Sequence, residues 1–111
     1  MQSISPETIY RGNSAWEKSL PQITKLTKSP LILGRGIQTN NLRNNIFNDL
    51  KNQKLNVNSA NLQFDCCYED ISRVKNIISN NNNDCVIAAG GGKVLDSGKY
   101  IAESLNIPCI T

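Results

Sequence analysis

Three consecutive glycines, Gly90-Gly91-Gly92, followed by Lys93, stand between an apolar run (Cys85 to Ala89) and an amphipathic stretch (Lys93 to Leu105). This composition suits the binding of a phosphate. Glycine lets the backbone approach a bulky anion closely and take up positive φ without strain. The amides and positive dipole end of an ensuing helix favour negative charge. Lys93 adds a mobile cation. A nucleotide or another phosphorylated small molecule is the expected ligand. The alternative is a plain strand-to-helix turn without a ligand, against which three glycines weigh, each costing roughly 0.5–1 kcal/mol against alanine in regular structure.

Two common phosphate motifs do not fit. A Walker A loop ending at Gly92-Lys93 needs glycine where Ile87 stands and serine or threonine where Val94 stands. A GxGxxG begun at Gly90 and Gly92 meets Leu95 at its third position, and the run follows a late strand rather than the first.

The elements that must carry this turn follow from hydrophobic period. Thr8 to Arg11 reads as a short edge strand, with a turn at Gly12-Asn13. Ser14 is placed to cap a helix bearing Trp16 and Leu20, with Glu17 completing a capping box, and Pro21 should break or restart that helix. Pro30 to Gly34 reads as a buried strand. Thr39 or Asn40 can cap a helix whose Leu42, Ile46, Phe47 and Leu50 share one face. Leu62 to Phe64 is a weak strand, and Tyr68 to Ser79 a helix with Ile71, Val74, Ile77 and Ile78 on one side. Asn80 to Asn83 forms a polar loop, Cys85 to Ala89 a buried strand, Lys93 to Leu105 a helix, and Pro108 to Thr111 the start of another strand.

Short apolar strands alternating with amphipathic helices define an α/β fold, a parallel sheet with helices on both faces. Ligands of such sheets bind beyond the carboxyl ends of the strands. Gly34-Arg35-Gly36 and Gly90-Gly91-Gly92 both belong at that edge. At 111 residues the chain is at most one small domain. It stops in an apolar strand with no helix to cover it, so it reads as the N-terminal part of a longer protein.

Composition narrows the function. The net charge of +3 is weak and its basic residues are dispersed, which argues against nucleic acid. No apolar run approaches the ~18 residues of a membrane span. The N-terminus lacks the basic and apolar regions of a signal peptide, leaving the cytoplasm as the expected location. Cys66, Cys67, Cys85 and Cys109 match no zinc or CxxC spacing, and Cys85 and Cys109 read as small core residues. The absence of histidine excludes a His-based acid/base relay and any His-containing metal site in these residues.

The stretch Gly90-Gly91-Gly92-Lys93-Val94-Leu95-Asp96-Ser97-Gly98-Lys99 resembles the GGGK-x-x-D-x-x-K signature of glycerol dehydrogenases, members of the iron-containing (group III) alcohol dehydrogenase and dehydroquinate synthase-like superfamily. Ser5-Pro6, Tyr10-Arg11-Gly12-Asn13 and the spacing of later elements extend the resemblance along nearly the whole chain. It implies a Rossmann-like NAD(P)-binding domain over residues 1–111, followed in full-length relatives by a helical domain that binds a divalent metal, zinc or iron. Gly90, Gly91, Gly92 and Lys93 would then hold the dinucleotide pyrophosphate, with Asp96 near the nicotinamide end. Asp96 would also serve as an acid facing the helix dipole, and Lys99 could as readily pair with Asp96 or Glu103 on the helix surface as touch a ligand. Gly98 would permit close helix–strand packing.

The resemblance also implies hydride transfer from a small alcohol or polyol, and homo-oligomers for full-length members. Relatives of the dehydroquinate synthase or glycerol-1-phosphate dehydrogenase type share the glycine turn and remain alternatives, as does a non-catalytic nucleotide-binding remnant. One departure bears on the cofactor. Arg35 stands where glycerol dehydrogenases usually carry an aspartate for the adenosine ribose. A guanidinium there can pair with a 2′-phosphate, which points to NADP(H) over NAD(H). The family's catalytic and metal-binding residues match no position of this chain.

Overall fold

Two aliphatic runs form the centre of the sheet because neither has a polar face to turn to water. In the computed structural model, which describes residues 14–35, 40–63 and 68–110, β1 (Pro30–Arg35) pairs on one side with β2 (Asn58–Leu62) and on the other with β3 (Cys85–Ala88). A fourth strand, β4 (Cys109–Ile110), lies beyond β3. The order is β2-β1-β3-β4 and every pairing is parallel. This is the α/β, Rossmann-like arrangement expected from the pattern.

Among the described residues four helices cover the two faces: α1 (Ser14–Leu26), α2 (Asn40–Asn52), α3 (Tyr68–Asn81) and α4 (Gly92–Ser104). Alternation along the strands sorts the core into two layers. Leu31, Leu33, Ala60, Leu62, Val86 and Ala88 pack with Val74 and Ile78 of α3 and Val94, Ile101 and Ala102 of α4. Ile32, Cys85, Ile87, Ala89 and Ile110 face the opposite way, toward Ile23 of α1 and Ile46 and Leu50 of α2. No described helix is long and apolar enough to cross a membrane.

Three local expectations are corrected. Pro21 neither breaks nor restarts its helix, since α1 runs unbroken from Ser14 to Leu26. Burial of Ile23 and Thr27, with the Thr27 amide donating to the Ile23 carbonyl at 3.0 Å, holds the turn after the proline. The strand expected at Leu62 to Phe64 begins earlier, at Asn58. Its polar residues read as a loop, but pairing with β1 imposes the extended form, with Ala60 and Leu62 turned inward. Finally, Lys99 forms no ion pair with Asp96 or Glu103 among the described residues. For Glu103, lysine four residues before glutamate is the weaker orientation for such a pair; the structure gives no reason for the missing pair with Asp96.

Other boundaries move by a residue or two. The helix α3 extends to Asn81 and ends at Asn82, whose φ of 54° is a left-handed conformation that asparagine tolerates. The expected strand at Thr8 to Arg11, the turn at Gly12-Asn13, the caps at Ser14 and Thr39, and Gly36, Phe64, Cys66 and Cys67 lie outside the residues or side chains described.

A polar clamp closes the amino edge of the sheet. The Asp84 carboxylate accepts from the Thr27 hydroxyl, from the Lys28 amide at 2.9 Å and from the Ser29 amide at 3.2 Å. Burial alone would raise its pKa, but these donors outweigh it and hold it below the usual carboxylate value. The buried Asn83 side chain donates to the Ser29 carbonyl at 3.0 Å. The clamp ties the entry of β1 to that of β3.

At the carboxyl edge the topology makes a crevice. The chain leaves β1 through α2 on one face and reaches β2. It leaves β3 through α4 on the other face and reaches β4, on the far side of the sheet. The two connections diverge between β1 and β3, where a doubly wound sheet opens to ligands.

Candidate functional site

The glycine run lies on the rim of that crevice. The Ala89 amide donates to the Leu33 carbonyl at 2.9 Å, so the chain stays bound to β1 until the residue before Gly90. Gly90 then takes φ of +158°, and a Cβ there would meet Val94 Cγ2 at 3.1 Å. Its need for glycine is internal to the fold. Gly91 and Gly92 differ: a Cβ on either would meet nothing within 4 Å. Neither tight packing nor a left-handed φ requires glycine there. The bare backbone leaves space that an approaching ligand can occupy.

Gly91 is the N-cap of α4, with φ −77° and ψ −175°, and no side chain caps the helix. The first intrahelical bond runs from the Leu95 amide to the Gly91 carbonyl at 3.1 Å. Amides in the first turn lack intrahelical acceptors. No acidic residue occupies that turn to neutralise the dipole. Lys93, exposed, stands in the same first turn. The arrangement can hold a dianionic group through backbone N–H groups and a cation.

Asp96 is exposed one turn further along α4. It borders an open groove of about 790 Å³ between α3 and α4, with Tyr68, Ile71, Lys75 and Tyr100 among its neighbours. Gly98 packs against the sheet, where a Cβ would lie 2.8 Å from the Ala88 methyl. The close helix–strand approach expected from Gly98 is therefore present.

Arg35, half-buried, ends β1 next to this turn in the neighbouring strand. The structure thus brings Arg35 and the run from Gly90 to Lys93 to one edge, and it sets Asp96 along the α3–α4 groove.

Arg43 is a residue that the reading of the sequence missed. It lies in the first turns of α2 and is only 6% exposed. A Cβ on Gly34 would fall 2.1 Å from Arg43 Cδ and 2.4 Å from its Nε, so the arginine stem occupies the place of the missing side chain. Arg43 Nη1 donates to the Arg35 carbonyl at 3.4 Å, and burial lowers the guanidinium pKa. Two signals were present. Arg43 falls on the same helical stripe as Ile46, Phe47 and Leu50, and Gly34 interrupts an otherwise aliphatic strand.

At the end of β2, buried Asp70 accepts from the Gln63 amide at 2.8 Å and from Arg73 Nη2 at 3.0 Å, while Arg73 also donates to the Asn61 carbonyl. This fastens the start of α3 to the sheet. Burial pushes the thiols of Cys85 and Cys109 up to about 12 and about 11. Cys85 is a buried core residue, as expected, whereas Cys109 is only partly buried, packed against the edge of the α3–α4 layer. No group of three His, Cys, Asp or Glu side chains able to hold a metal occurs among the described residues.

A parallel α/β sheet whose connections diverge at a switch point, with a glycine-lined helix start beside it, defines the doubly wound class of fold, whose ligands bind at the carboxyl edge. Comparison with known proteins makes this specific. The profile of the family "Iron-containing alcohol dehydrogenase" matches residues 6–109, and the chain belongs to that family. No curated protein sequence matches the chain.

Among solved structures, glycerol dehydrogenase from Schizosaccharomyces pombe superposes with a TM-score of 0.73 at 23% identity, over 86% of this chain and 24% of that one. A probable glycerol dehydrogenase from Sinorhizobium meliloti 1021 gives 0.62 at 22% identity, over 84% and 24% of the two chains. Alcohol dehydrogenase from Oenococcus oeni gives 0.65 at 21% identity, over 75% and 23%. These likenesses establish the shared fold. The chain spans about a quarter of the length of each of these structures.

Proposed function

We propose that residues 1–111 form the dinucleotide-binding part of an NAD(P)-linked alcohol dehydrogenase of the glycerol type. The observation that carries this reading is the pair Gly91 and Gly92, which have open space where side chains would stand, at the start of an uncapped 13-residue helix. A diphosphate fits there. The amides of the first turn of α4 would donate to its oxygens and Lys93 would offset its charge. The adenosine half would extend over the carboxyl end of β1, toward Arg35. A bound nicotinamide ring supplies the hydride acceptor, and the chain's own part is to bind and orient the dinucleotide. Membership of the iron-containing alcohol dehydrogenase family supports an alcohol as hydride donor, and the polyol class is inferred from the glycerol dehydrogenases that share the fold.

The metal that the family implies has no ligand set in the residues described.

Titration of the full chain with NADH and NADPH, followed by nicotinamide fluorescence, tests the reading. Saturable binding that inorganic pyrophosphate competes away supports it. Absence of binding by both dinucleotides overturns it.

A further inference from the structure

We propose that the amino edge of the sheet carries a binding site for a monovalent metal cation, sodium or potassium, whose ligands are Asn83 Oδ1 and the oxygens of Ser29 and Asn58 that surround the same amide. The site lies at the edge opposite the glycine turn and is independent of the function assigned to that turn.

The case begins with Asn83. Its side chain is only 7% exposed, yet Oδ1 accepts no hydrogen bond. A buried acceptor without a donor is costly. The other end of the amide has the converse excess. Nδ2 faces the Ser29 carbonyl at 3.0 Å, the Ser29 hydroxyl at 3.2 Å and Asn58 Oδ1 at 2.5 Å, three acceptors for two N–H groups. The Ser29 hydroxyl gives its own proton to the Asn56 carbonyl at 3.0 Å. Lone pairs therefore outnumber donors around this amide, and one positive charge would repair both ends.

Two neighbours add negative potential. Asp84, next in the chain, is held by the Thr27 hydroxyl and by the Lys28 and Ser29 amides. All three donors are neutral, and no lysine or arginine side chain pairs with Asp84 among the described residues. The carboxylate charge is thus uncompensated. Helix α3 ends at Asn81, two residues before Asn83, with no basic residue in its last turn to meet the negative end of its dipole.

The donor set selects the ion. Carbonyl, amide and hydroxyl oxygens suit hard cations. Calcium and magnesium draw on carboxylates, and the single carboxylate here is already engaged by three donors. Ser29 precedes β1, Asn58 opens β2 and Asn83 precedes β3, so a bound ion would tie together the entries of three strands. Half-buried Ser29 and Asn58 and exposed Asn56 leave a path from solvent. An ion held only in the folded state adds to stability by mass action.

Thermal unfolding of the full chain, followed by circular dichroism in sodium, potassium, choline and calcium chlorides at matched ionic strength, tests the proposal alongside sodium-23 NMR. The expected Tm at about 0.2 M sodium or potassium chloride is about 4 °C or more above that in choline chloride, and it rises with alkali concentration. The protein should broaden the sodium-23 line, and potassium should narrow it again. Asn83→Asp should enlarge the alkali advantage, because a carboxylate among these oxygens needs the cation more, and Asn83→Leu should abolish it.

Equal Tm in the three monovalent salts assigns the nest to water and overturns the proposal. A calcium effect larger than the alkali effect at matched ionic strength points to a divalent site and overturns it too, as does an Asn83→Asp advantage no larger than that of the wild type. Should Asn83→Leu fail to fold, Ser29→Ala and Asn58→Ala carry the test: each must reduce the alkali advantage, and an unchanged advantage in both refutes the site.

Discussion

Gly91→Asp should stabilise the protein and disable it in one step. Gly91 has φ −77° and ψ −175°, an extended conformation open to any residue and usual for an N-cap. A Cβ there meets no atom within 4 Å, so the new side chain enters without strain. Aspartate improves on glycine as a cap by a few tenths of a kcal/mol, and its charge at the dipole end adds about 0.3–1 kcal/mol. The expected gain is about 0.5–1 kcal/mol, or roughly 2–8 °C in Tm for a domain of this size. The same carboxylate would satisfy the amides proposed to hold the diphosphate and would repel it. Loss of one charge-assisted hydrogen bond plus that repulsion amounts to at least about 2 kcal/mol, about thirtyfold in Kd. Thermal unfolding by circular dichroism and dinucleotide titration on the same preparation read both quantities. A stabilised variant that still binds dinucleotide with wild-type affinity would refute the assignment of this turn to the diphosphate. A destabilised variant would refute the description of the cap.

Three further outcomes follow from the packing. Gly98→Ala should cost about 1 kcal/mol or more despite alanine's better helix propensity, because its methyl would stand 2.8 Å from that of Ala88; urea unfolding that shows a gain would contradict this packing. Asp84 has a folded-state pKa below its unfolded value, so its stabilisation is complete above the ordinary aspartate range of about 4 and is lost as pH falls through the lower, folded pKa. Asp84→Asn should therefore flatten the acid limb of the stability–pH curve, and an unchanged slope below about pH 4 would count against the clamp. The Cys85 thiol, buried and pushed up to about 12, should resist iodoacetamide at pH 8 in the native protein and react readily in urea. Peptide mapping that finds Cys85 alkylated under native conditions would place it outside the core.

Residue order alone carried the essentials of the fold. The runs Leu31-Ile32-Leu33 and Cys85-Val86-Ile87 have no polar alternation, and chains of that kind find burial only inside a two-sided parallel sheet. The glycine run announced a tight strand-to-helix turn through local conformation, a property that belongs to consecutive residues. Two features were invisible locally. The polar run Asn58 to Asn61 became a strand because β1 offered a hydrogen-bonding edge, and α1 passed through Pro21 because Ile23 and Thr27 are buried after it.

The site divides in the same way. That Gly90 serves the fold while Gly91 and Gly92 leave open space depends on the atoms around each, and the three are identical in sequence. The meeting of Gly34 with Arg43, nine positions apart, depends on α2 folding back over β1. Sequence determined which residues could meet an anion, because charge and backbone freedom are properties of single residues and short spacings. Only the tertiary structure decided which of them share one edge of the sheet, because strand order and helix face join positions distant along the chain.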